Sequence, residues 1–241
     1  MRRVFVDLHM HSCLSPCGDD AMTPATAAGL SKLAGVDVAA LTDHNTVRNC
    51  PAFFEACEAY GISPLAGMEL TTAEDIHVIC LFRTLEESAA FEEAVWKHRV
   101  LIPNRTSIFG NQLIMNADDE VIGEEPNLLP NATTLDLTAA FALAEEYGGV
   151  CHPAHIDREA NGIIAVLGTF PDRPAFRAAE FRDPENQKTY PELYPNLKGL
   201  RSVYGSDAHW PDAVPEKAEF SLEVGDTGTP AEAVFELLKR P

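Results

Sequence analysis

Basic residues are scarce in this chain of 241 residues: eighteen Lys and Arg stand against thirty-seven Asp and Glu, a formal net charge of −19. Affinity for duplex DNA comes largely from phosphate neutralisation by basic side chains, so this balance opposes a long nucleic-acid partner. Long apolar runs are missing as well. None reaches the ~18 residues of a membrane span, and Arg2-Arg3 is followed by only three apolar residues before Asp7, too few for a secretory core. The six cysteines (Cys13, Cys17, Cys50, Cys57, Cys80, Cys151) are scattered, and no second close pair joins Cys13 and Cys17 to complete a zinc-knuckle spacing. They read as reduced thiols, with the cytoplasm as the expected compartment and no membrane partner. Repeats, low-complexity tracts and Gly/Ser linkers are absent, so residues 1–241 are expected to form one domain. Oligomeric state is not legible.

What is present is a rhythm of short apolar runs and capped helical stretches. Val4-Phe5-Val6 reads as strand, and Thr23-Pro24 supplies an N-cap and first-turn proline for a helix ending near Gly35. Strands follow at 36–42, 64–68 and 76–82, with helices around 53–60 and 86–98. Residues 112–122 look like a hairpin inside a probable insertion, 104–131, which could cover a site or be an inert excursion. A helix over 136–147 and strands near 149–155, 178–182 and 202–205 complete about seven units, an α/β barrel or doubly wound sheet.

Seven of the eight histidines lie in or beside a predicted strand or its following loop, where barrels of parallel strands build their sites. In Asp7-Leu8-His9-Met10-His11, alternation puts both imidazoles on one face. His44, Glu69, His77, His155, Asp207 and His209 fall at further strand ends, bringing imidazole and carboxylate to one side. That donor mixture suits zinc, iron or manganese, and a Glu between two ions can bridge them with its two oxygens.

These motifs resemble the PHP (polymerase and histidinol phosphatase) superfamily: Asp7-Leu8-His9-Met10-His11-Ser12, Leu41-Thr42-Asp43-His44, Gly67-Met68-Glu69 with Asp75-Ile76-His77, Pro153-Ala154-His155, and Gly205-Ser206-Asp207-Ala208-His209. The resemblance implies a distorted (β/α)7 TIM-like barrel, here with an inserted β-hairpin, that holds two or three divalent ions and hydrolyses phosphate esters. Carried over, His9, His11, Glu69 and Asp207 would hold one ion, Glu69, His77 and His155 a second, and His44 and His209 a third. The loop Ser12 to Asp20 should complete the third site. Counting back from Thr23-Pro24 favours Asp19, with Asp20 and Cys17 as rivals and a solvated acidic turn as the plain reading.

Such ions bring a water into the neutral pKa range as a metal-activated hydroxide, so no side-chain nucleophile is needed. Glu69 and His209 are the expected catalytic groups. The leaving-group proton could come from His209, a metal-bound water or Asp43. Arg158, three residues after His155, is the expected phosphate anchor, with Arg182 as second candidate and surface salt bridges as the alternative for Arg158. The expected substrate is a small phosphomonoester: a nucleotide, a nucleoside bisphosphate or a compound like histidinol phosphate. Two alternatives stand. Amidohydrolases also begin with His-x-His but usually bridge their metals with a carbamylated lysine, and no lysine here falls on a strand. A catalytically silent metal-binding domain is the other.

Overall fold

The computed structural model describes residues 1–240. Its first half runs β1 (Arg2–Met10), α1 (Pro24–Ala34), β2 (Val38–Leu41), α2 (Cys50–Tyr60), β3 (Ser63–Thr71), β4 (His77–Phe82), α3 (Leu85–Trp96), α4 (Thr106–Phe109), β5 (Leu113–Met115) and β6 (Val121–Glu124). Its second half runs α5 (Leu137–Glu146), β7 (Val150–Pro153), α6 (Ile163–Leu167), β8 (Ala178–Glu180), α7 (Asn186–Leu193), β9 (Arg201–Val203), β10 (Ser221–Val224) and α8 (Pro230–Lys239).

Local chemistry accounts for the helix ends. The Thr23 side chain accepts from Thr26 N, Pro24 opens α1, and Gly35 closes it at φ 81°, a left-handed conformation that glycine adopts without strain. Asp136 caps α5 by accepting from Ala139 N. Thr229 and Glu232 form a reciprocal capping box at the start of α8.

Six strands pair in the order β10-β1-β2-β3-β4-β7. β1, β2 and β3 are parallel, but β3 and β4 form an antiparallel hairpin, and β7 and β10 pair antiparallel to β4 and β1. β8 and β9 make a separate parallel pair, and an isolated bridge from Met10 to Ala208 carries the curl past the end of β1. The result is a mixed α/β fold with a curled half-barrel sheet, and the described strands do not reproduce the seven repeated β/α units. The physical reason lies at residues 72–76, where a tight turn with Asp75 at φ 66° reverses the chain and no crossover helix intervenes.

Two apolar clusters hold the sheet. One joins Val4, Val6, Leu8, Val38, Leu65 and Leu81 to Val234, Phe235 and Leu238 of α8. The other joins Met10, Leu41, Met68 and Phe82 to α1, α2, α3 and α5. Leu8 and Met10, which strict alternation would put on one face, fall into different clusters because the β1–β2 register shifts between Asp7 and Met10. The hairpin β5–β6 lies within 104–131 as expected and docks on the loop after β1: Leu113 N donates to the Cys13 carbonyl.

Candidate metal centre

The ends of β1, β3, β4 and β7 and the loops after β2 and β9 converge on one buried cluster of imidazoles and carboxylates. His9 Nδ1 lies 3.0 Å from Glu180 Oε1. His11 Nδ1 lies 2.9 Å from Ser15 Oγ, whose single hydrogen goes to Asp43 Oδ1 at 2.7 Å. Carboxylates only accept, so in the neutral rings both Nδ1 atoms carry the hydrogen. The Nε2 lone pairs of His9 and His11 then face each other at 3.0 Å, which requires a cation close by.

Glu69 is at the centre. Its Oε1 is 2.8 Å from His77 Nδ1 and 3.1 Å from His155 Nε2. Its Oε2 is 3.1 Å from His11 Nε2 and 3.0 Å from His44 Nδ1. Even so, Glu69 Oε2 and His44 Nδ1 are buried without a hydrogen-bond partner, so their lone pairs share an unsatisfied space. Three sets of donor atoms lie within 4.8 Å of one another: His9, His11, Glu69 and Asp207; His44, Glu69 and His77; and His11, His44 and His209. Lone pairs that face one another and oxygens left orphaned fit divalent cations of the imidazole and carboxylate type.

Without a metal, protons serve the same need. Burial disfavours charge on His11, but hydrogen bonds to Asp207 and Glu69 outweigh it and raise the ring to about 9. His44 reaches about 9 because the Glu69 charge outweighs its burial, and His9 is held well above its usual value by Glu180 and Glu69 against the same penalty. Burial would raise Glu69, yet His77, His9 and His44 hold it well below the carboxylate range. His209 goes the other way: burial and the neighbouring His11 push it down to about 3. Its Nδ1 donates to the Asp207 carbonyl at 2.8 Å, leaving Nε2 as a lone-pair donor.

Of the residues expected from sequence, His9, His11, His44, Glu69, His77, Asp207 and His209 all fall in these sets, and His155 adjoins them through Glu69. His155 (φ 27°) and Asp207 (φ 53°) adopt left-handed backbone conformations, the kind of strain that clusters at functional sites. Arg158 and Arg182 reach the same oxygen, Asp207 Oδ2, at 3.0 and 3.4 Å, and both guanidinium groups lie on the solvent side. Asp19 does not join. It is exposed, and its carboxylate accepts from Ala21 N at 2.8 Å. Asp43 is buried and its oxygens are taken by Ser12 and Ser15, so it orients the loop after β1.

Sequence reasoning missed Glu180, which accepts from His9 Nδ1 and from the His155 backbone N and so fixes the His9 ring and the backbone that carries His155. A lone Glu in Ala178-Ala179-Glu180 has no spacing signature; only its place at a strand end pointed to it. Gly205 is needed opposite: a Cβ there would stand 2.1 Å from His9 Cβ and 2.8 Å from Glu180 Oε2.

Imidazoles and carboxylates gathered at the ends of a curled sheet define a metal-dependent hydrolase. The PHP domain family matches residues 7–156, and the chain belongs to it. The DNA polymerase III PolC-type of Thermotoga petrophila is 33% identical over 92 residues, which is 38% of this chain and 6% of the polymerase. Endonuclease Q of Pyrococcus furiosus shares the fold at TM-score 0.65 and 18% identity, over 99% of this chain and 56% of the endonuclease. The chain thus spans little more than half of that enzyme and a small fraction of the polymerase. An amidohydrolase from Chromobacterium violaceum, solved with sulfate and no metal, superposes at TM-score 0.61 and 17% identity over 96% of both chains.

These likenesses correct one expectation. Endonuclease Q has also been solved with a 27-mer duplex carrying an abasic lesion at the active site. The exclusion of long nucleic acid, and with it the restriction to a small phosphorylated partner, therefore does not stand. Net charge sums the whole surface, whereas a partner meets only the rim of the site, which here carries Arg158 and Arg182. Among the described residues no helix is long and apolar enough to cross a membrane.

Proposed function

We propose that the chain is a metal-dependent phosphoesterase, with His9, His11, Glu69 and Asp207 around one ion, and Glu69, His77 and His155 around a second with His44 adjoining. The observation that carries this reading is the convergence of Arg158 and Arg182 on Asp207 Oδ2 beside the buried donor cluster. Two guanidinium groups at one rim offer forked donors to a phosphoryl group, a recognition that an amide substrate does not call for. The Glu69 carboxylate, beside His77, His155, His11 and His44, would supply the bridge for which the amidohydrolase alternative uses a carbamylated lysine.

Bound divalent ions would supply Lewis acidity and an activated water. The chain's own groups do the rest. Glu180 holds His9 Nδ1–H, Ser15 holds His11 Nδ1–H, and both rings present Nε2 to the site. His209 would serve as a lone-pair donor through Nε2, since its Nδ1–H is held by the Asp207 carbonyl. The arginines orient the ester and balance its charge. A mononucleotide and a nucleic-acid backbone present the same phosphoryl group to them.

The test is phosphate and strand-cleavage assays on the metal-loaded protein. They cover a panel of small phosphomonoesters, a lesion-bearing duplex and cyclic amides, with manganese, zinc and iron compared. Turnover of a phosphate ester that chelator abolishes is expected. Turnover confined to the amides would overturn the proposal, and no turnover with full metal content would favour the silent domain.

A further inference from the structure

We propose that Phe109 and Trp210 form a stacking rim on which unpaired bases of a nucleic-acid strand lie while its phosphate enters the metal centre. The inference rests on the phosphoesterase reading above and names the surface that holds the rest of the substrate. A column of rings leads from the metal centre to solvent. His11 stacks on His209 with centroids 4.0 Å apart, and the His209 and Trp210 centroids are 6.0 Å apart. Trp210, at the end of the column, is 49% exposed.

Phe109 stands at the same rim. It is 44% exposed and its neighbour Ile108 62%, and both belong to α4, a single turn with no buried residue. α4 is nonetheless fixed over the loop after β1. Asn104 Nδ2 donates to the Gly110 carbonyl, and Gly110 packs so closely on Pro16 that a Cβ would stand 2.2 Å from its carbonyl oxygen. Pro16 follows Ser15, whose hydroxyl meets the His11 ring, and further along the loop Asp19 N donates to the His209 carbonyl at 2.8 Å. The two exposed rings therefore flank one loop, Phe109 at its Pro16 end and Trp210 at its Asp19 end. Among the described residues the other exposed aromatic side chains are Tyr60 and Trp96.

Charge along the chain indicates what this rim meets. Residues 94–117 contain no Asp or Glu, the longest such stretch in a chain of net charge −19, and they carry Lys97, Arg99 and Arg105. The same stretch exposes Val100, Leu101, Ile102 and Ile108 besides Trp96 and Phe109. Apolar and basic groups together, without acid, suit bases strung on a polyanionic backbone. The stretch is longer than a single nucleotide covers, which selects a strand over a mononucleotide. Asp19 and Asp20, on the loop between the rings, each have a partner within the chain, Ala21 N and Asn111 Nδ2. Every base has a π face, so the rim distinguishes unpaired from paired strands and is tolerant of sequence.

The experiment is titration of metal-loaded, full-length protein with a phosphorothioate-linked oligothymidylate. It is followed by the anisotropy of a dye on the oligomer and by tryptophan emission, which comes from Trp96 and Trp210. Binding should quench that emission, and Trp210→Phe should bind as wild type does while losing the Trp210 share of the quenching. Phe109→Ala and Trp210→Ala should each weaken binding about tenfold, with the circular dichroism spectrum unchanged. An oligomer of equal length whose sugars carry no bases should bind wild type no better than it binds either variant. Equal affinity for oligomers with and without bases, or alanine variants that bind as wild type does, would overturn the stacking rim and leave the phosphoesterase reading intact. Tighter binding of a mononucleotide than of the oligomer would overturn the strand. A dimer that Phe109→Ala dissociates, with oligomer binding unchanged, would give this face to a second copy and overturn the proposal. Oligomer held through both rings by a protein that hydrolyses no phosphate ester would support the rim and sink the phosphoesterase reading.

Discussion

A single carboxylate outside the donor sets orients the His9 imidazole and holds the backbone of His155. Glu180 accepts from His9 Nδ1 and His155 N, so Glu180→Gln keeps an acceptor and shape but loses the charge that fixes the His9 tautomer. Outer partners of this kind usually matter 10–100-fold. Calorimetric zinc binding should therefore weaken by roughly that factor while the circular dichroism spectrum stays unchanged; unaltered affinity would show that His9 is held by packing alone. Arg158→Ala should lower kcat/KM for a phosphate ester by about tenfold or more, with full metal content retained, and Arg182→Ala, more exposed and more distant from Asp207, should cost less. The sequence made the clustered donor residues legible because alternation along β1 gives His9 and His11 a shared direction and the other donors sit at strand ends or the loops beside them. It could not show that Asp19 turns back onto Ala21, since the direction of a loop side chain depends on contacts such as those at His209 and Asn111 that come from elsewhere in the chain.

At the scale of elements, helix ends were readable and strand directions were not. Thr23-Pro24 with Gly35, and Asp136 ahead of α5, appear where their capping chemistry places them. β10 and α8 escaped notice, although Thr229-Pro230-Ala231-Glu232 spells out the capping box that starts α8. The antiparallel turn between β3 and β4 was hidden because an apolar run reads the same in either direction. α8 covers the cluster built on Val4, Val6 and Leu8 and lies away from the metal centre, so its cap is a clean probe of stability. Thr229→Ala should cost about 1 kcal/mol in urea unfolding and leave metal content and turnover unchanged. A loss of metal would reveal coupling from α8 through β1 to His9 and His11.

For the whole molecule, the centre is a store of charge that protons or metal can neutralise. In chelated protein, His9, His11 and His44 hold protons more tightly than an unfolded imidazole, whose pKa is about 6.5. Their contribution to stability is fully present below about 6.5 and is lost as pH rises through about 9. Metal binds only the unprotonated rings, so loaded protein should gain stability across the same window. Thermal midpoints of the two forms should diverge from pH 6.5 to 9; parallel falling curves would mean that these histidines hold no ion. Total charge proved a poor guide to partners at this scale, since −19 describes the surface as a whole and says nothing of a rim with two arginines.

The bridge from Met10 to Ala208 joins the first strand to a segment near the far end of the chain, and Asp7 and Ser206, hydrogen-bonded beside it, are 199 positions apart. The donor set of His9, His11, Glu69 and Asp207 is closed only by that long-range contact. A ribosome must therefore finish most of its work before this donor set is complete, and its loading becomes a late event in the life of the polypeptide. Stalled nascent chains that end before Asp207 should lack the ion of this set while keeping His44, Glu69, His77 and His155.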